Sequence, residues 1–403
     1  MRLPSLDLLR GSAVALMIGV NNPGSWAHLY PPLAHAPWHG LTPTDLVFPF
    51  FLFAVGNALA LTLPALRACG GAALARKWLW RVGLIFALGL LLNAAPGWVW
   101  AASGDLALRD WGGLRIMGVL QRIALAWGAA ALILLPCLAA TDAPVRRRRV
   151  LIAAAVLLLL YHGVCVAFAQ GSDPYSLEGF FGTALDRMLL GPRHLYGGEG
   201  VPFDPEGLAS TVPAVAQVLI GAWAGLWMRD APLTSSRALA TVPGLVIAGL
   251  ALLALGGIWA DLMPVNKKLW TSSFVLVTSG LALLMLALLS ALHDKPPDAG
   301  RTAPWPVLGW LTPVVKAFGR NALFVFVLSG LVPRLLSLVH WPDGLVADGL
   351  PRWITPLQWL YRTLFADLAD DRRVGSLAYA LAHLAVYAAL AVWLDRRRIY
   401  IRV

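Results

Sequence analysis

The stretch HAPWHGLTPTDLVFPFFLFAVG, residues 35–56, decides how this chain is read. Its second half is an almost unbroken apolar run. Continued to residue 66, that run reaches the roughly 20 residues a helix needs to cross about 30 Å of hydrocarbon. Its first half sets His35, Trp38, His39 and Asp45 at the entrance. Composition places such a segment in a bilayer, because 59% of the 403 residues are hydrophobic and only 13% are charged. The mean hydropathy of +0.70 is far from the balance of a soluble domain.

Outward from this stretch, apolar runs of similar length recur at 8–24, 44–66, 78–96, 115–139, 150–170, 208–228, 238–260, 270–292, 313–332 and 374–394, ten in all. Each is predicted as a helix, since a segment in lipid must satisfy its own backbone polar groups. The expected fold is an all-α polytopic membrane protein of about ten transmembrane helices, or eleven if 351–368 also spans. That last segment, PRWITPLQWLYRTLFADL, is interrupted by Pro and Arg and rich in Trp, which favours the membrane interface. Residues 1–403 are expected to form one transmembrane domain. Segments 171–207 and 333–373 are expected as extracytoplasmic loops, the second with an interfacial helix.

An even number of spans puts both termini on one side. The loops of that side carry Arg10, Arg67, Arg76, Lys77, the run Arg146 to Arg149, Arg229 and Arg396 to Arg398. An excess of basic residues in short loops marks the cytoplasmic side, so both N and C termini are expected there. The net charge of +11 then reads as a basic rim facing anionic membrane lipid and calls for no nucleic acid. Asp7 and Arg10 break any early apolar core, so the first span is expected to remain as a structural helix and not to be cleaved as a signal peptide. Cys69, Cys137 and Cys165 have no metal-type spacing, and no metal site is expected.

Charged residues inside spans are costly and normally face a cavity or a partner. Arg81, Lys316 and Arg320, the last followed by Asn321, fall in the cytoplasmic halves of their spans. With Arg10 they make a basic pocket, unless they snorkel to lipid headgroups. The opposite side holds Arg115, Arg122, the loop VPFDPEG (201–207) and the loop MPVNKKLWT (263–271), whose two lysines sit where basic residues are disfavoured. Imidazole is the side chain most readily switched between base and acid near neutral pH. Asp45, ten residues after His35, either orients that ring or serves as a capping anion in the first helical turn. A basic pocket at one end and an imidazole at the other suit a donor that carries phosphates at one end and a reactive group at the other.

Seven stretches carry a family resemblance: SLDLLRG (5–11), MIGVNNPGSW (17–26), HAPWHGLTPTDLVFPFFLFAVG (35–56), GVLQRIALAW (118–127), FDPEGLASTVPA (203–214), PVNKKLWTSSFVLVTSG (264–280) and FGRNAL (318–323). Together they resemble the heparan-alpha-glucosaminide N-acetyltransferase family, transmembrane acyltransferases, and in particular its bacterial branch. The resemblance implies helices around a through-membrane acyl-CoA site, often in a homodimer. It also implies acetyl-CoA as co-substrate, an amino sugar as acceptor, and His35 as the catalytic histidine at the head of its motif. No counterpart of the large lumenal domain or of the leading helix that precede that motif in the lysosomal members is expected. A small amino sugar is therefore expected in place of polymeric heparan, and a bacterial inner membrane as the location.

On this reading His35 removes the proton of the attacking amine or itself accepts the acetyl group, with Asp45 orienting it. The cofactor end is assigned to Arg10, Arg81, Lys316, Arg320 and Asn321. The acceptor end is assigned to Asn21, Asn22, Trp38, Asp204, Glu206, Asn266, Lys267 and Trp270. The two indoles offer flat faces to a sugar ring, the amides donate to a carbonyl or hydroxyl, and the acids hold an ammonium or else cap a helix. An O-acyltransferase of an envelope glycan uses the same parts. An amino-sugar transporter would call for paired broken helices, which the sequence does not display.

Overall fold

The computed structural model describes residues 3–68, 70–100, 105–230, 237–294, 306–345 and 351–401; Cys69 lies outside them. The chain runs α1 (Pro4–Asn21), α2 (Val47–Arg67), α3 (Gly71–Ala94), a hairpin of β1 (Trp98–Trp100) and β2 (Leu106–Leu108), then α4 (Val119–Cys137) and α5 (Ala143–Ala167). It continues through α6 (Phe181–Leu190), α7 (Thr211–Asp230), α8 (Arg237–Trp259), α9 (Ser272–His293), α10 (Pro306–Arg320) and α11 (Ala322–Leu336). A second hairpin of β3 (Trp341–Leu345) and β4 (Pro351–Ile354) precedes α12 (Pro356–Leu364) and α13 (Arg372–Arg396).

Among the described residues, eight helices are long and apolar enough to cross a membrane, or nine if the bent pair α10–α11 is one span. This is an all-α polytopic membrane protein. Nine of the ten expected runs fall on these elements, and the tenth is α1. With Asp7 and Arg10 in its first half, α1 does not reach the apolarity of the rest. Segment 351–368 does not add a span: it forms β4 and the nine-residue α12, which at 1.5 Å per residue is too short to cross. The run 313–332 is no straight helix either, because α10 and α11 meet at 84°. Asn321 sits in that break, with its amide donating to Ile399 O at 3.1 Å and its carbonyl accepting from Ile401 N at 2.9 Å. Loop 171–207 holds the short helix α6, which the apolar pattern did not announce.

The centre of the bundle is α7, buried along nearly its whole length and packed against α2, α4, α5 and α9. It approaches α2 backbone to backbone. A Cβ at Gly56 would overlap the Val218 carbonyl, and one at Gly221 the Phe53 carbonyl. Small residues at such crossings are how helices gain contact where lipid removes the hydrophobic drive. The one strongly polar side chain facing outward from the middle of α7, Gln217, is satisfied by Ser279 Oγ at 2.9 Å and Thr278 Oγ1 at 3.3 Å on α9.

The start of α1 and the end of α13 share one end of the bundle, where both flank α10. At the opposite end lie the long connections and both hairpins. There Trp100, His340 and Trp353 stack in succession, with ring centres 3.6 and 4.3 Å apart, and so join the two hairpins. The 22–46 connection, which carries His35, sits at this second end.

Candidate active site

The connection into α2 is shaped by a capping box. Thr42 begins a short 3-10 turn, Pro43–Leu46, and Asp45, three residues on, returns its carboxylate to the Thr42 backbone. One oxygen does this work: Asp45 Oδ2 accepts from Thr42 N at 3.0 Å and Ala36 N at 3.1 Å, with Thr42 Oγ1 at 3.0 Å. The other oxygen, Oδ1, is 2.7 Å from His35 Nδ1. The two readings of Asp45, cap and orienting acid, are thus both realised, one on each oxygen. Asp45 is 1% exposed and His35 is 41% exposed, so a buried acid holds an accessible ring.

A carboxylate only accepts. The proton of this pair therefore sits on Nδ1, and the lone pair of the neutral ring is left on Nε2. Lys267 completes the group, with Nζ 2.9 Å from Nδ1, 3.2 Å from Nε2 and 3.5 Å from Asp45 Oδ1. Near-equal distances to both ring nitrogens place the ammonium above the ring edge and not in line with either lone pair. Burial pushes the Lys267 pKa down, against the opposing pull of Asp45 and Glu206.

Around this centre the 263–271 loop folds back on itself. Asn266, fully buried, accepts from Leu269 N at 2.9 Å and holds His39 Nδ1 at 3.3 Å. Lys268 donates to Pro37 O at 2.8 Å and Glu199 at 2.6 Å, and stands over Trp38. Trp38 donates to Tyr175 O at 2.9 Å. These contacts bind the 35–39 segment to loops 137 to 231 residues away, which fixes the position of His35.

A second charged group adjoins the first. Arg115 grips Asp204 with Nε and Nη2 at 2.8 and 2.6 Å and reaches Glu206 at 2.6 Å. Burial works against the Arg115 charge, but the two acids hold its pKa above the ordinary value. Burial likewise opposes the Glu206 carboxylate, yet Arg115, Arg122 and Lys267 hold its pKa below the usual range. Glu206 is thus the electrostatic link between Arg115 and the His35 centre. Arg122, fully buried in α4, donates to Pro205 O at 2.6 Å and to Ser210 Oγ, and stacks on Trp270.

Several expected roles change. Trp270, 1% exposed and enclosed by Phe48, Phe274 and Arg122, is a core residue and offers no face to a sugar. Asp204 is spent on Arg115, so of the two acids only Glu206 keeps some exposure. Asn22 donates to Ile18 O at 2.8 Å and closes α1, while Asn21 lies exposed on the same turn.

At the other end, Arg10, Arg81, Lys316 and Arg320 lie on α1, α3 and α10. Arg81 lies ten residues into α3, deeper than one turn, where it stacks on Trp127 at 4.6 Å within electrostatic range of Arg10. Arg10 is paired with Asp7 at 2.8 Å, and Arg320 with Asp395 at 2.6 and 2.7 Å. Lys316 stands near His293. Asn321 is buried and committed to the C-terminal tail, so it does not belong to this group. Among the described residues no cluster of His, Cys, Asp and Glu has metal-ligand geometry.

Sequence reasoning missed Glu199, Asp186, Asn93 and Gln121. Asp186 accepts from Leu208 N at 3.0 Å and Ala209 N at 3.4 Å beneath the Asp204 loop, and burial raises its pKa to about 6. Glu199, Asp186 and Asn93 stand in no quoted motif and only their distant partners mark them, whereas Gln121 lies in the 118–127 stretch but carries no local sign of its role.

The chain is similar to heparan-alpha-glucosaminide N-acetyltransferase of Homo sapiens, 28% identical over 335 residues that cover 73% of this chain and 49% of the human protein. It is equally similar to the Mus musculus protein of that name, 28% identical over 338 residues with the same coverage. The chain spans about half the length of these curated relatives. No family model matches it. The similarity supports the family resemblance carried by the seven sequence stretches.

Proposed function

We propose that this chain is a transmembrane N-acetyltransferase that moves the acetyl group of cytoplasmic acetyl-CoA to the amine of glucosamine, or of a glucosamine-containing sugar, on the opposite side of the membrane. The observation that carries this reading is the His35–Asp45 pair at 2.7 Å, with a buried acid, an accessible ring and the Nε2 lone pair left for chemistry. The same constellation supports transfer between small groups more directly than it supports transport.

The thioester supplies the acetyl group in activated form; the chain supplies orientation and proton handling. An amine attacks only when neutral, so Nε2 removes its proton while Asp45 stabilises the imidazolium that results. In this direct route the imidazolium gives its proton to the departing CoA thiolate. Alternatively Nε2 attacks the thioester carbonyl, the C–S bond breaks and CoA leaves as the thiol. The acetyl-imidazole so formed passes its acetyl group to the neutral amine, whose proton goes to the released ring. In both routes the Lys267 ammonium, fixed over the ring edge, favours negative charge developing beside Nε2.

The phosphates belong at the far end. Arg81 fits them: its Nε is buried without a hydrogen-bond partner, and no acid lies within ion-pair distance among the described residues. Arg10 stands within electrostatic range of it, Lys316 lies on α10 beside His293, and Arg320 joins once Asp395 yields. The Arg-rich end with both termini then faces the cytoplasm of a bacterial cell. Loops 171–207 and 333–373 face outward, with α12 lying along the interface.

The test is direct. The full chain in nanodiscs, supplied with acetyl-CoA carrying a labelled acetyl group and glucosamine, is expected to yield labelled N-acetylglucosamine. A hydroxylamine-labile product is an ester and would establish the O-acyltransferase alternative. Absence of transfer to any amino sugar would refute the reading.

A further inference from the structure

Between α1, α3, α4 and α11, at the end of the bundle that carries His35, lies a cavity of about 300 Å³. Its polar lining consists of Asn21, Asn22, Asn93, Arg115, Gln121 and Arg334 beside Ser329, and no carboxylate lines it. Most of these groups are already engaged. Asn93 Nδ2 donates to Arg115 O at 2.9 Å and Met117 O at 3.0 Å, and Arg334 donates to Gly330 O at 2.6 Å. Gln121 is the exception: its side chain is 1% exposed, yet Nε2 has no hydrogen-bond partner. A buried donor left unmade costs about 1–3 kcal/mol. The bundle nevertheless makes room for it, since a Cβ at Gly89 would run into the Gln121 amide and one at Gly118 would crowd it.

We propose that this cavity is a saccharide pocket and that the Gln121 amide is its specificity-determining donor. The lining donates more than it accepts, which selects a ligand rich in hydroxyl, ring or carbonyl oxygen. Asn21, Asn22 and Trp26 are shared with a wider cavity of about 570 Å³ that adds Trp353, Tyr361 and Gln358. Trp26 is 65% exposed and Trp353 42% exposed. Indole faces beside planar amides and guanidinium groups match the apolar face and hydroxyl rim of a pyranose. One wall is tied to the chemistry: Arg115, which lines the cavity, holds Glu206, which in turn is within electrostatic range of Lys267 beside His35. That the bound sugar is the acetyl acceptor rests on the function proposed above; that a sugar binds does not.

Labelling tests this without turnover. A cysteine reporter at Pro333→Cys, on the apolar wall of the cavity, is placed in a chain whose Cys69, Cys137 and Cys165 are replaced by Ser. Its reaction with a thiosulfonate reagent is timed in nanodiscs. Glucosamine at about ten times its Kd is expected to slow the labelling about tenfold, and Gln121→Met, of similar length but without the amide, to abolish that protection while eluting as a folded species. Gln121→Leu serves if the Met variant aggregates. Protection that survives both substitutions, or protection by acetyl-CoA and not by glucosamine, overturns the proposal. Protection without any acetyl transfer sustains the pocket and refutes the acetyltransferase reading. Transfer without protection does the reverse.

Discussion

At the end of the bundle that carries His35, charged groups meet across long sequence distances and at short range. Arg115 reaches Asp204, 89 residues on, at 2.6 Å, and Lys267 reaches His35, 232 residues away, at 2.9 Å. At the Arg-rich end many partners are neighbours and many contacts are loose: Arg10 pairs with Asp7, and Arg146, Arg147 and Arg229 share Asp230 at 3.1 to 3.5 Å. Pairs at 3.1 to 3.5 Å that share one carboxylate are held less firmly than a bidentate contact and rearrange more readily. A network of the first kind holds atoms in place, which is what chemistry requires. On the proposed function the two ends divide the work: one fixes the reacting centre, and the other offers positive charge that a polyanion can recruit.

The sharpest way to break this division is to disturb the fixed end without emptying it. Asp45→Asn keeps an acceptor for the Thr42 and Ala36 amides but presents NH2 to His35 Nδ1, which moves the ring proton to Nε2 and removes the reactive lone pair. Transfer is expected to fall by at least about a hundredfold with the fold intact, read as kcat in the glucosamine assay. A smaller effect is expected at the recruiting end. Arg320→Ala should weaken acetyl-CoA binding about tenfold, the value of one charge-assisted hydrogen bond, whereas Asp395→Asn should tighten it by freeing Arg320. Calorimetry in detergent reads both, and equal losses for the two variants would mean that the pair is structural.

The smallest effect concerns stability alone. Burial raises the Asp186 pKa from 3.8 to about 6, so the folded chain binds a proton there more tightly than the unfolded one. The associated stability is present below the unfolded pKa and is lost as pH rises through about 6. Two units correspond to at most about 3 kcal/mol. Asp186→Asn, which retains an acceptor for Leu208 N, should flatten the fall in thermal stability between about pH 4 and pH 6. An unchanged slope would assign it to other groups.

How much of this was legible in the sequence follows from distance along the chain. The spans were, because an apolar run of about 20 residues carries its own instruction. The His35–Asp45 pair was, because ten residues and one capping box bring the two together. The break at Asn321 was not, since the residues that occupy it, Asp395, Ile399 and Ile401, lie 75 to 80 positions later. Trp270 misled for a related reason: its motif suggested a substrate face, but Phe48 and Arg122 arrive from other helices and cover it. Gln121 lies in a quoted motif, yet only the glycines that cradle it and its missing partner reveal its place.

On the proposed function His35, and not simply an aromatic and imidazole-rich loop, carries the chemistry. The most direct measurement compares His35→Ala with His39→Ala in one assay of acetyl transfer to glucosamine, alongside acetyl-CoA binding. His39 is the internal control, four residues away in the same loop, with Asn266 at 3.3 Å and the edge of Trp38 against its ring. His35→Ala is expected to lose at least about a hundredfold in turnover with acetyl-CoA affinity unchanged, while His39→Ala retains most of its activity. Turnover that survives in His35→Ala would contradict the account.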